Sequence, residues 1–438
     1  MNNKPNKHTS IGPANAFVAG LGKLPQTMGE IIERMTPPTT PPAPEIRKRG
    51  VIDRFNAVGE LGDVYVVTSR DIKLALHISR MLVRGYENRP PDAHYWMDHN
   101  KRAMALVERT KASRASLMTA NTHSVIGTSG LGKSTGIGYA LNLFPAAITH
   151  DQISDPLLPK IQVPTLTVTC PVNRTPKAFI IEFFRQIQLK TGINYMQELP
   201  KGMSDDALIV EMGRVTSLHC VGLLVFDEVQ QVVGGDDRLK DLLVRLTNTV
   251  KLPILFVGTF KSQDKLHDEL AIARRMLGGP WVPYTKDDDD WNRIIETLWE
   301  YQVTRTPTAL DAELRAKMFE LTCGVPALAK ALYGFVQEHL IINSSDADPE
   351  TITPDLLGQV FEQDMSPVIP AMNALRTGAG LEAFDDLLPA KLPKPDSWND
   401  EDGTLQDAVK LAYHDSALKA ARGLGKATAL ATIAKGNL

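Results

Sequence analysis

Apolar and polar positions along the chain alternate between two periods, and the change of period marks the elements. Four short runs are apolar at nearly every position and rich in β-branched residues: Val125-Ile126, Thr165-Leu166-Thr167-Val168-Thr169-Cys170, Val221-Gly222-Leu223-Leu224-Val225-Phe226, and Leu252-Pro253-Ile254-Leu255-Phe256-Val257. Runs of this kind without alternation predict parallel strands buried on both faces. Between them the period is helical. Ser69 and Asp71 cap a predicted helix through Leu74, Ile78 and Leu82, ended near Gly85, and a second runs from about 92 to 118. Further helices are predicted at 134–143, at 178–190, from a Ser204-Asp205-Asp206 cap to before His219, and at 291–301. From 309 to 361 the pattern is helical, broken at Cys323-Gly324-Val325-Pro326. Strands alternating with helices make the expected fold class α/β, a parallel sheet flanked by helices with a helical region after it.

The ends read differently. Residues 1–47 have weak periodicity, interrupted by Gly20, Gly22 and Pro25, with a short helix near Ile31 and then the extended spacer Thr36-Pro37-Pro38-Thr39-Thr40-Pro41-Pro42-Ala43-Pro44. A second linker, Lys391-Leu392-Pro393-Lys394-Pro395, precedes a small helical tail. The expected division is a 1–47 arm with its Pro-rich linker, a 48–120 helical region, a 121–290 α/β core, a 291–365 helical lid and a 366–438 extension. Terminal pieces this small bury no core of their own and are expected to dock partners.

Chemistry enters at the first strand's end. Gly127-Thr128-Ser129-Gly130-Leu131-Gly132-Lys133-Ser134-Thr135 follows the phosphate-loop pattern of Gly, four residues, then Gly-Lys-Ser. Its glycines let successive N–H groups turn inward on a polyphosphate, Lys133 would reach the β- and γ-phosphates, and the Ser134 hydroxyl would sit on Mg²⁺. About ninety residues later an apolar strand closes on Asp227-Glu228, the Walker B arrangement. Asp227 belongs to the metal shell and Glu228 orients or deprotonates the attacking water. Thr259, at the end of the next strand, falls near the γ-phosphate, because ligands in such sheets sit beyond the strand carboxyl ends. ATP and Mg²⁺ are the cofactors this pattern calls for.

Composition narrows the remainder. Net charge of -3 places any nucleic-acid contact on a local basic patch. Three scattered cysteines, Cys170, Cys220 and Cys323, fit neither a disulfide framework nor a zinc site and indicate a reducing, cytoplasmic compartment. No apolar run approaches the ~20 residues of a membrane span, and the N-terminus has no signal-peptide pattern. Asp92, His94, Asp98 and His99 are close in sequence but read as an exposed polar face, not a metal site.

Together these elements resemble the AAA+ ATPases and, more narrowly, the TnsC/TniB family of DNA transposition regulators. Four stretches carry the narrower resemblance: Leu82-Val83-Arg84-Gly85-Tyr86-Glu87-Asn88-Arg89-Pro90; the strand from Pro253 to Thr259; Leu270 to Met276; and Ser366 to Thr377 with Phe384-Asp385-Asp386-Leu387. The resemblance implies Thr259 as sensor 1 and Arg274 or Arg275 as the finger offered to a neighbouring subunit, although two adjacent arginines alone would read as a solvated face. It also implies a homo-oligomeric ring or filament on double-stranded DNA, linking a target-selection protein (TniQ-like or TnsD-like) to the transposase subunits. The tail at 396–438 would recruit the transposase and the N-terminal arm would face the target selector. Such DNA contacts are made by backbone-directed cations, for which Arg174 and Lys177, after the second strand, are the candidates. One departure stands out: where many relatives carry a sensor 2 arginine, Gly324-Val325-Pro326-Ala327-Leu328-Ala329-Lys330 offers only Lys330, and its Gly-Val-Pro turn can pack on adenine instead. That turn also favours the alternative, a STAND-type signalling or defence ATPase, although no C-terminal repeat is visible.

Overall fold

The computed structural model describes residues 15–104, 121–171, 173, 175–200, 202–232, 237–262, 279–345, 349–384 and 386–387. In chain order these form helices α1 (Ala16–Ala19), α2 (Met28–Met35), α3 (Val51–Val58), α4 (Ser69–Glu87) and α5 (Ala93–Met104), then strand β1 (Thr122–Ile126) and α6 (Lys133–Leu141). A small antiparallel pair, β2 (Ile148–Thr149) and β3 (Ile161–Gln162), precedes β4 (Thr165–Thr169), α7 (Pro176–Thr191), α8 (Tyr195–Glu198) and α9 (Asp205–Leu218). After β5 (Leu223–Asp227), α10 (Asp237–Arg245) and β6 (Ile254–Gly258) come five lid helices: α11 (Asp289–Glu300), α12 (Ala312–Thr322), α13 (Pro326–Asn343), α14 (Pro354–Asp364) and α15 (Ile369–Thr377).

β1, β6, β5 and β4 form one parallel sheet in that order, with Val125 beside Val257, Phe226 beside Phe256 and Val168 beside Phe226. Period-2 alternation gives each strand two buried faces. Leu166, Val168, Leu224, Phe226, Ile254 and Phe256 meet Phe179, Phe183 and Ile187 of α7 and Met212 and Val215 of α9. Val125, Leu223, Val225, Leu255 and Val257 meet α4 (Leu74, Ile78, Leu82) and α6 (Ile137, Ala140). This two-sided cover is why the strands read as unbroken apolar runs.

A third core holds the lid together, and it recruits residues from far upstream. Ala57, Val58, Leu61 and Val64 pack with Trp291, Leu298, Leu332, Tyr333 and Val336. Arg54 of α3 pairs with Glu350, and both side chains are fully buried. The segment expected as one helical region, 48–120, is therefore shared: α3 joins the lid, whereas α4 and α5 join the sheet.

Three local expectations change. Helix α4 continues past Gly85 to Glu87, because Tyr86 is fully buried with its hydroxyl on Cys220 O (3.1 Å) and Gly85 lies against Pro253. Packing outweighs the ~1 kcal/mol a helical glycine costs. His99 is not on an exposed face: it is fully buried, its ring nitrogens 2.8 Å from Ser217 Oγ and 3.0 Å from Val250 O, and burial pushes its pKa down to about 3. Residues 15–35, expected within a detached arm, lie on the body. Phe17 and Met35 are fully buried, Gln162 Nε2 donates to Phe17 O (2.8 Å), and Arg34 Nη2 donates to Leu143 O (2.8 Å). The part of the expected 92–118 helix beyond Met104 and the 396–438 tail lie outside the described residues. Cys170 and Cys220 are buried and Cys323 is half-buried, and among the described residues no helix is long and apolar enough to cross a membrane.

Candidate functional site

The chain turns sharply at the end of β1. Gly127 forms a parallel bridge to Trp281 at the sheet edge, and a Cβ there would stand 2.0 Å from the Trp281 carbonyl oxygen, so no other residue fits. Gly130 and Gly132 then take left-handed φ of +81° and +82°, conformations that favour glycine. The second of these immediately precedes α6. The free N–H groups of its first turn and the loop amides face one cleft, which makes an anion seat.

Lys133 is 9 % exposed, and its ammonium donates to the loop's own carbonyls, Gly127 O at 2.9 Å and Thr128 O at 2.7 Å. Burial pushes its pKa down to about 8, against the opposing pull of the Asp227, Glu228 and Asp386 carboxylates. Ser134 Oγ lies 3.3 Å from Asp227 Oδ2, while the Glu228 N–H donates to Asp227 Oδ1 at 2.8 Å. Both Asp227 oxygens are thus aimed by neighbours.

Glu228 occupies left-handed space (φ +59°), which costs a non-glycine residue about 1–3 kcal/mol. That bend directs its carboxylate to the Gln230 side-chain amide, and Gln230 Oε1 accepts from the Thr259 N–H at 3.1 Å. Gln230 therefore joins the two catalytic candidates. Its sequence signal was only its place two residues after Glu228.

The remaining wall comes from distant segments. A cleft of about 640 Å³ is lined by Ser129–Thr135, Asp227, Glu228, Gln230 and Thr259 and, from distant segments, by residues 62–66, Tyr139, Ile294, Leu298, Pro326, Ala327 and Lys330. That volume suits a drug-sized ligand. Tyr65 and Tyr139 lie with ring centroids 4.8 Å apart and planes tilted by 33°. The lid helix α13 touches the phosphate loop directly: the Ala327 N–H donates to Gly130 O at 3.1 Å. Thr128 Oγ1 donates to Leu387 O at 2.5 Å, so the end of the 366–387 segment also reaches the loop. Neither contact had a sequence signal, since the partners are about 200 and 260 residues away.

The structure thus brings together Gly127, Thr128, Ser129, Gly130, Leu131, Gly132, Lys133, Ser134, Thr135, Asp227, Glu228 and Thr259. Lys177 is exposed on the first turn of α7 and does not line the cleft. Arg174, Arg274 and Arg275 lie outside the described residues.

Residues 117–266 match the family described as AAA domain. No curated protein matches the sequence. Similar solved structures include a Walker-type ATPase of Pyrococcus abyssi (13% identity, TM-score 0.35, covering 64% of this chain and 75% of that one). The ORC1 protein of Aeropyrum pernix in complex with DNA gives 16% identity and a TM-score of 0.39 over 77% of this chain and 80% of that one. The ORC2 protein of the same organism, in ADPNP-ADP complexes, gives 11% and 0.35 over 60% and 66%. The fold is the P-loop AAA+ fold, a parallel sheet of four strands flanked by helices.

Proposed function

We propose that this chain binds and hydrolyses ATP. The observation that carries the reading is the convergence of Lys133, Ser134, Asp227 and Glu228 on one cleft whose floor is the glycine-rich loop. Lys133, held in the free protein by two carbonyls of its own loop, would turn to the β- and γ-phosphates. The loop amides and the start of α6 would hold the triphosphate against its negative charge. Glu228 would orient a water for in-line attack on the γ-phosphorus and accept its proton, while the bond from phosphorus to the ADP oxygen breaks. Gln230, bonded to both Glu228 and the Thr259 amide, would set that carboxylate's direction. The adjoining hydroxyl of Ser134 and carboxylate of Asp227 offer the hard oxygen donors that Mg²⁺ takes, and the ion when bound would neutralise phosphate charge. Lys133→Ala should abolish ATP binding, and Glu228→Gln should keep ATP bound but lower turnover by two orders of magnitude or more, on the order of a lost general base. Equal turnover by wild type and Glu228→Gln would sink the assignment.

The finer reading is a regulator of DNA transposition that oligomerises on double-stranded DNA and links a TniQ-like or TnsD-like target selector to the transposase. It is supported by the four stretches that resemble the TnsC/TniB family, of which the β6 strand ends at the cleft and the 366–387 segment bonds to the phosphate loop at Thr128. In this reading Arg274 or Arg275 of a neighbouring copy completes the ATP site, and Arg174 with the exposed Lys177 meets the phosphate backbone. A non-hydrolysable ATP analogue with duplex DNA should then give oligomers by electron microscopy, and DNA affinity should fall steeply with salt as counterions are released. A protein that stays monomeric at micromolar concentration under those conditions excludes this reading.

A further inference from the structure

Helix α13 begins with Pro326, which has no N–H, so the Ala327 N–H is its first free donor, and Gly130 O takes it. Three residues on, and so on the same face, Lys330 extends to the backbone of residues 62–64. Its ammonium donates to Val64 O at 2.6 Å and to Gly62 O at 3.2 Å. Val64 is 4 % exposed and packs in the lid core, so its carbonyl has little access to water. The next residue is Tyr65, which lines the cleft and whose ring meets Tyr139 of α6. One helical turn of the lid therefore ties the phosphate loop at Ala327 to the 62–64 backbone at Lys330.

Resting on the ATP reading above, we propose that Lys330 is a positioning residue for the base end of the nucleotide, fixing the Gly62–Val64 wall, and not a phosphate-sensing cation. The two roles differ in what they distinguish. A phosphate sensor separates ATP from ADP, because its partner is the γ-phosphate. A staple on the base wall acts equally on every adenine nucleotide and leaves a bare polyphosphate untouched. Burial lowers the Lys330 pKa and the nearby Asp63 carboxylate opposes this, as fits an ammonium turned toward the 62–64 wall.

The test titrates the full-length protein with ATP, ADP and inorganic tripolyphosphate, for wild type, Lys330→Met and Lys330→Gln. Methionine removes the charge and both hydrogen bonds, whereas glutamine keeps a donor for a carbonyl and carries no charge. Lys330→Met should weaken ATP and ADP by the same factor, on the order of tenfold for lost charge-assisted bonds to a buried carbonyl, with tripolyphosphate unchanged. Lys330→Gln should recover most of that loss for both nucleotides. A loss confined to ATP, or shared by tripolyphosphate, overturns the proposal, as does wild-type affinity in Lys330→Met. Should Lys330→Met fail to fold by circular dichroism, Lys330→Gln decides: an unchanged ATP-to-ADP ratio supports the staple and a collapsed ratio rejects it. Wild type that binds no ATP removes the nucleotide reading itself, and this role with it.

Discussion

The two ends of the cleft are built by different means. At the end proposed for the phosphates, nine consecutive residues and the tips of two strands suffice, because anions are recognised by backbone N–H groups and that geometry is fixed locally. At the end proposed for the base, residues 62–66 meet residues 294–330, and the wall exists only if the lid core assembles around α3. A local motif can specify the first. The second depends on long-range packing and on one buried ion pair.

The sharpest way to break this contrast is to remove that pair. Arg54 and Glu350 are both fully buried, and taking away one partner leaves an uncompensated charge. Arg54→Leu should therefore lower stability by about 3–5 kcal/mol in urea denaturation. Arg305 also approaches Glu350, its N–H at 2.7 Å and its guanidinium at 3.5 Å. An unchanged midpoint would mean that Arg305 takes over, and the base end would be less dependent on α3 than the packing indicates.

The same contrast explains what the sequence disclosed. The sheet was legible because parallel strands covered on both faces need apolar residues throughout, and β4, β5 and β6 lie where those runs are. Helices α7 and α9 begin where Thr175 and Ser204 accept from Ala178 N and Ala207 N, side-chain caps written into the local sequence. The phosphate loop and Asp227-Glu228 were legible for the same local reason. What escaped were contacts set by distant partners: Arg54 with Glu350, Thr128 with Leu387, Lys330 with Val64, and Phe17 beneath the β3 side chain of Gln162. His99 escaped for a further reason, since a histidine beside charged residues reads as exposed until Ser217 and Val250 O enclose it.

A middle-sized effect probes the seam between the two ends. Gly130 sits at φ +81°, and a Cβ there would lie 2.9 Å from Val325 Cγ1 and 3.2 Å from Ala327 Cβ. Gly130→Ala should cost about 1–3 kcal/mol from backbone strain and crowding. It should also weaken ATP by pushing the lid helix off the loop. A variant with a lower melting temperature but unchanged ATP affinity would show that the lid contact does not shape the site.

The smallest effect is a protonation confined to the phosphate end. Burial lowers Lys133 from an ordinary 10.5 to about 8, so between those values the unfolded chain binds more protons than the free folded protein. The sign follows: stability of the nucleotide-free protein rises with pH through that window, because the cost of burying the charge is relieved as the proton leaves. Nucleotide acts in the opposite direction, since phosphate oxygens beside the ammonium favour its charged form. Binding of ATP at pH 8.5 should therefore take up part of a proton, detectable by calorimetry in buffers of different ionisation enthalpy. Affinity should fall as pH rises from about 8 toward 10, by no more than about tenfold per unit. Lys133→Arg should lose this pH dependence, because a guanidinium stays protonated throughout. Zero proton uptake by the wild type at pH 8.5 would mean that Asp227, Glu228 and Asp386 already hold Lys133 charged. The loop would then be poised for phosphate before any nucleotide arrives.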